Sequence, residues 1–162
     1  MNDAGEIREG EVALGFDPGE RAQAGVTFIG HIRSDWARGS APRNVTRARE
    51  AGGGNARIEL DPAYAPGLRG LSVGRPVWVL YWMDRARRDL ILQSPRHHVE
   101  PRGVFTLRSP VRPNPVAMAA VTITALDMQA GVIGIDATDA FDMTPVIDIK
   151  PWMGGIDIPP EQ

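Results

Sequence analysis

Val77-Trp78-Val79-Leu80-Tyr81-Trp82-Met83 stands between Arg75-Pro76 and the charged Asp84-Arg85, and every residue in it is aliphatic, aromatic or sulfur-bearing. A run this short, this apolar and this rich in β-branched and aromatic residues reads as a strand buried by its neighbours. Trp78 and Leu80 are expected to pack into the core. Upstream, Val26–Arg33 reads as a first strand and Ala56–Leu60 alternates as a second. Between them, residues 34–54 are polar and rich in Gly and Arg, the composition of a long loop. Asp61-Pro62-Ala63-Tyr64 looks like a helix start, with Asp61 as cap and Pro62 in the first turn. Downstream, residues 84–101 are charged and irregular, and Gly103–Leu107 is strand-like. Ala119–Ala125 alternates apolar and polar positions, Gly131–Asp136 follows as its hairpin partner, and Val146–Lys150 is a last strand stopped by Pro151.

Many short strands with few helical periods predict a mainly β fold: a small antiparallel β-barrel with one or two short helices and long loops. Neither a GxGxxG turn nor a P-loop is present, which argues against a dinucleotide fold. Residues 1–24 read as a flexible leader, 25–155 as one barrel domain and 156–162 as a tail.

The chain has 162 residues, 43% hydrophobic and 23% charged, the proportions of one folded domain. Without cysteine it has no disulfides and no thiolate chemistry. No secretory start and no apolar run of membrane-spanning length is seen, so a soluble, cytoplasmic protein without a membrane partner is expected. The net charge of −2 exerts no global pull on nucleic acid, but seven arginines face three acids from Asp84 to Arg112. Such a patch can meet phosphates. Lys150 is the only lysine, at a position where an ammonium rather than a guanidinium is used.

Two stretches carry candidate chemistry. Arg108-Ser109-Pro110-Val111-Arg112-Pro113-Asn114-Pro115 has three prolines that stiffen the backbone behind its arginines and Asn114. A stiff loop loses little entropy when a ligand orders it. In the second, Asp136, Asp139, Asp142 and Asp148 fall within 13 residues, beside Lys150. Carboxylates can hold ribose hydroxyls or an ammonium group, and Asp148 and Lys150, two apart in a strand, share a face. His97-His98 lacks further ligands at metal spacing, so no metal is expected, and His31 reads as structural. No GxSxG elbow is present.

In order along the chain, Phe28–Ser34, Ala41-Pro42-Arg43-Asn44, Gly67–Leu71, Gly103–Pro115 and Asp142–Trp152 resemble the blocks of the TsaA-domain (TrmO-type) proteins, S-adenosylmethionine-dependent tRNA methyltransferases. The resemblance spans about residues 26–153. It implies a β-barrel, S-adenosylmethionine as cofactor, a homodimer with the cofactor site near its interface, and tRNA as partner, methylated at N6 of threonylcarbamoyl-adenosine beside the anticodon. By matching blocks, the implied cofactor contacts are Pro42, Arg43, Asn44, Asp84, Arg85, Arg108, Met118, Asp136, Ala137, Thr138 and Asp139. Arg112 and Asn114 are expected to meet substrate, and Asp148, Asp84 and Lys150 to take part in catalysis. The chain departs from the family pattern at Asn44, at Asp84 where histidine is common, and at Met143 where glycine is usual. Those changes leave open a small-molecule acceptor, or a non-catalytic module that binds S-adenosylmethionine.

Overall fold

A computed structural model describes residues 6–95 and 99–160. Among them the strands are β1 (Val12–Ala13), β2 (Gly30–Arg33), β3 (Arg57–Leu60), β4 (Pro76–Trp82), β5 (Leu90–Gln93), β6 (Arg102–Gly103), β7 (Val116–Asp127), β8 (Val132–Ile135) and β9 (Thr144–Pro151). Two short helices accompany them, α1 (Val45–Glu50) and α2 (Gly154–Asp157). The chain divides into two units: one is the stretch up to Val26 with Met83–Ala117, the other Thr27–Trp82 with the chain from Met118 on.

In the larger unit six antiparallel strands close a barrel in the order β2-β3-β8-β7-β4-β9, with β9 returning to pair with β2. The reason lies in period-two patterning. β2, β3, β4 and β8 alternate buried and half-buried residues, so each strand has one face for the interior. Ile32, Ile58, Val77, Val79, Val121, Ile123, Ile133 and Val146 fill it, each no more than 2% exposed. Burying an aliphatic side chain of this size contributes roughly 1.5–3 kcal/mol. Closure also removes the strand edges that would otherwise invite pairing with another chain.

β4 alternates although its sequence does not. Val77, Val79 and Tyr81 point inward; Trp78, Leu80 and Trp82 are only half-buried on the other face. The expectation that Trp78 and Leu80 are core residues is therefore corrected: a barrel strand has only one interior face. Trp82 on that outer face meets Phe28, with ring centroids 6.5 Å apart.

Two bulges shape the barrel. Leu80 pairs with Asp148 but Tyr81 with Val146, leaving Ile147 as the extra residue in β9. Ile123 pairs with Ile135 but Ala125 with Gly134, leaving Thr124 extra in β7. At Gly134 a Cβ would lie 2.9 Å from Thr124 Oγ1, so the second bulge depends on a residue without a side chain. At Gly30 a Cβ would lie 2.2 Å from the Glu59 carbonyl oxygen, a distance no side chain permits.

The smaller unit holds a three-stranded sheet in the order β1-β5-β6. Its strands include residues expected otherwise. Val12 and Ala13, in the stretch read as a leader, pair with Leu92 and Leu90, and the Leu14 N–H donates to the Asp89 carbonyl at 2.7 Å. β5 lies in the stretch read as irregular. Gly103–Leu107, expected as a strand, is one only at Arg102–Gly103, then tightens into a 3-10 turn over Val104–Thr106 that buries Val104. Residues 34–54 contain α1, and the helix expected after Asp61 is a 3-10 turn, Pro62–Leu68.

Candidate functional site

The segment linking β8 to β9, residues 136–143, is pinned at several points by side chains from elsewhere in the barrel unit. Asp136 Oδ1 accepts the Thr122 N–H at 2.7 Å and its Oδ2 accepts from Arg49 of α1. Arg49 also donates to the Ala120 carbonyl at 2.7 Å. Trp36 Nε1 donates to the Thr138 carbonyl at 2.7 Å, Ser34 Oγ to the Ala140 carbonyl at 2.8 Å, and the Ala140 N–H to Thr138 Oγ1 at 3.1 Å. Ala137 and Thr138 are buried. Gly53, at φ +80°, receives the Thr138 N–H on its carbonyl. A Cβ there would lie 2.3 Å from the Asp136 carbonyl oxygen, so the close approach needs glycine.

Asp139 is held differently. The hydroxyl of Tyr81, an interior residue 5% exposed, donates to its Oδ1 at 2.8 Å. Its other oxygen accepts no hydrogen bond from the described residues, and the side chain is half-buried.

At the far end of the loop Asp142 takes a two-point contact from Arg33, Nε to Oδ1 at 2.8 Å and Nη2 to Oδ2 at 3.5 Å, and the Ser34 N–H at 3.2 Å. The Arg33 hydrogen bond holds the Asp142 carboxyl below its ordinary value, against a smaller upward push from burial. Glu59 is also lowered: burial pushes it up, but hydrogen bonds from Arg57 and Arg33 outweigh that. Arg33 itself is raised by Asp142 and Glu59. The next residue, Met143, sits at φ +66° with its side chain about half exposed.

The other barrel-unit candidates separate. Asn44 caps α1, its Oδ1 accepting the Arg47 N–H at 2.9 Å. Arg43 beside it is exposed, Pro42 is half-buried, and Met118 is exposed. Asp148 and Lys150 share a face as expected and pair at 2.7 Å, while the other Asp148 oxygen accepts the Ile149 N–H at 2.8 Å. Lys150 also borders an open depression of about 320 Å³ with Trp78, Pro151, Met153, Ile156 and Asp157. None of the implied cofactor contacts borders it.

In the smaller unit the Pro-rich loop is held by contacts the sequence did not reveal. Buried Gln93 donates to the Val111 carbonyl at 2.5 Å, and Arg88 Nε to the Pro113 carbonyl at 2.6 Å. Arg112 donates to the carbonyls of Leu107 and Ser109 at 3.1 and 3.2 Å, which makes it a brace of the loop. Asn114 accepts from Arg88 at 3.4 Å. Arg108 and the turn residues Asp84 and Arg85 are exposed. Phe105, on the 3-10 turn between exposed Arg102 and Arg108, is 80% exposed. Of the basic patch, Arg96 lies outside the described residues, as do His97 and His98. No group of three metal-ligating side chains occurs among the described residues. No helix among them is long and apolar enough to cross a membrane.

Trp36, Tyr81 and Gln93 were absent from the sequence-based candidates, and Arg49 and Arg88 entered them only as members of basic stretches. Each acts across a long sequence separation, and none stands in a spacing that single-sequence motifs report.

Comparison with known proteins supplies the context. The model of the tRNA-methyltransferase O N-terminal domain matches residues 31–158. A probable S-adenosyl-L-methionine-binding protein of Archaeoglobus fulgidus is 39% identical over 130 residues, covering 80% of this chain and 34% of its own length. The probable S-adenosyl-L-methionine-binding protein VirR of Rhizobium radiobacter is 32% identical over 158 residues, covering 93% of this chain and 86% of its own. The crystal structure of TrmO from Pseudomonas aeruginosa superposes with a TM-score of 0.63 at 27% identity, over 84% of this chain and 58% of that one. The chain thus spans about a third of the first relative's length and little more than half of the crystallised protein.

Proposed function

The chain belongs to the family of the tRNA-methyltransferase O N-terminal domain, and on that footing we propose that it binds S-adenosylmethionine and methylates an adenosine of tRNA. The observation that carries the reading is the family match over residues 31–158, which takes in both motif stretches. Relatives named as S-adenosylmethionine-binding proteins, one of them alike over 93% of this chain, support the cofactor. The finer substrate, N6 of threonylcarbamoyl-adenosine beside the anticodon, and a cytoplasmic homodimer belong to the same proposal.

The residues suit the group. A carboxylate oxygen that no donor among the described residues reaches, on Asp139, can accept from a ribose hydroxyl or an ammonium group. An exposed guanidinium, on Arg43 or Arg108, can take a carboxylate with two parallel hydrogen bonds. When bound, S-adenosylmethionine would supply an electrophilic methyl group on its sulfonium sulfur for an acceptor nitrogen. Within the barrel unit the hydrogen bonds of the 136–142 loop hold its side chains in place, and positioning of this kind can supply much of the rate. A proton must leave the acceptor nitrogen. Asp148 is engaged on both oxygens, by Lys150 and by the Ile149 N–H. Asp84, exposed and without a hydrogen bond among the described residues, is the better base. Phe105 between Arg102 and Arg108 offers a ring for base stacking and cations for phosphates, which favours an RNA acceptor.

A smaller acceptor is the second reading, favoured by Asp84 and Met143, where the resemblance leads one to expect histidine and glycine. Titration calorimetry with S-adenosylmethionine is the deciding measurement. Wild type binds and Arg108→Ala binds more weakly; no binding by wild type overturns the cofactor assignment. Mass spectrometry of tRNA incubated with the protein and S-adenosylmethionine then identifies the acceptor. Methylated nucleosides support the first reading, and unmodified tRNA beside a methylated metabolite the second.

A further inference from the structure

We infer that Tyr81 is a positioning residue that holds Asp139 as the one ligand-binding carboxylate of the 136–142 loop. The inference rests on the S-adenosylmethionine reading above and goes beyond it by distinguishing Asp139 from the neighbouring Asp136 and Asp142 and by giving Tyr81 a role.

Hydrogen-bond accounting makes the separation. Asp136 has one oxygen on the Thr122 N–H and the other on Arg49. Asp142 has both on Arg33 and one also on the Ser34 N–H. Each of these oxygens already accepts a hydrogen bond from the protein, which ties the loop to β7, α1 and β2. Asp139 alone keeps an acceptor oxygen that no donor among the described residues reaches, and it is half-buried, so the side chain is neither dissolved in solvent nor sealed in the core. Its flanking residues are fixed: the Thr138 carbonyl by Trp36, the Ala140 N–H by Thr138 Oγ1 and the Ala140 carbonyl by Ser34.

What remains free in Asp139 is rotation of its side chain, and Tyr81 removes that freedom. The Tyr81 ring is locked among the interior residues, 5% exposed, and its hydroxyl reaches Oδ1 at 2.8 Å. A phenol donating to a carboxylate is a charge-assisted hydrogen bond. It fixes which oxygen stays available and lowers the rotamer entropy that a ligand would otherwise have to remove. The chemistry of that oxygen is acceptor-only, so it recognises the hydroxyl or ammonium donors of the cofactor and not its carboxylate.

The test is a double-mutant cycle on S-adenosylmethionine affinity, with thermal melting of every variant. Tyr81→Phe removes only the hydroxyl and keeps the buried ring. It is expected to weaken binding roughly two- to tenfold, the range for one lost hydrogen bond, with Tm close to wild type. Asp139→Asn is expected to weaken binding by at least as much, and Tyr81→Phe is expected to add nothing further in that background. Equal affinity of Tyr81→Phe and wild type overturns the positioning role. So does a Tyr81→Phe effect that persists in Asp139→Asn, or a loss of affinity that follows a fall in Tm, since both mark a merely structural tyrosine. Wild-type affinity in Asp139→Asn overturns the assignment of the carboxylate. A wild type that binds no S-adenosylmethionine removes the cofactor reading itself, and this inference with it.

Discussion

Met143 shows what one residue can cost. A non-glycine residue at φ +66° brings its Cβ against its own backbone, and the half-exposed side chain recovers little by burial. Met143→Gly is expected to raise stability by about 0.5–1 kcal/mol, the relief of left-handed strain less the extra freedom glycine adds to the unfolded chain; urea unfolding measures it. The neighbouring charges set a pH dependence. Asp142 and Glu59 titrate lower when folded than when unfolded. Their contribution is present above the unfolded values, near pH 4, and is lost as pH falls through the lowered folded ones. The urea midpoint should therefore drop on going from about pH 5 to pH 3. Arg33→Met should flatten that acid limb, and salt should weaken it, because Arg33 and Asp142 are both more than a third exposed.

Among the elements, α1 shows one of the implied cofactor contacts with a structural task as well. Asn44 falls in a block matched to cofactor contacts, yet its side chain caps a six-residue helix, too short to persist without help. That helix presents Arg49 to Asp136. Asn44→Ala should cost about 1 kcal/mol, read as a lower Tm. S-adenosylmethionine affinity should fall only to the extent that the Arg49–Asp136 contact loosens; a large loss of that affinity at unchanged Tm would mark Asn44 as a direct contact. The barrel strands were readable because an interior face imposes alternation, as at Arg57–Leu60 and Val132–Ile135. β4 was readable as a strand but not as a one-faced strand, since Trp78 and Leu80 are as apolar as the residues that point inward.

For the whole molecule, the chain does not assemble in sequence order. The smaller unit takes its first strand from residues 12–13 and the others from residues 90–93 and 102–103. Removing residues 1–14 would take away β1 together with the contacts that Glu9 and Glu11 make to Ser94 at 2.8 and 3.3 Å. Hydrogen exchange should then speed up at amides of β5, while barrel amides such as those of β3 keep their protection. Unchanged exchange in β5 would show that the N-terminal stretch adds nothing to that sheet.

Period-two patterning, glycine and proline placement, and the ordered blocks from Phe28 to Trp152 were enough to specify a mainly β barrel and its family, because those signals are local and one residue type satisfies each. The site was legible only as a set of stretches. Asp136, Asp139 and Asp142 are chemically identical in the sequence. They differ because Arg49, Tyr81 and Arg33 reach them across 87, 58 and 109 residues of chain. Arg112 and Asn44 likewise became brace and cap through the backbone they face. A side chain's role follows from which of its hydrogen-bonding atoms remain unmatched after folding, and that accounting exists only in three dimensions.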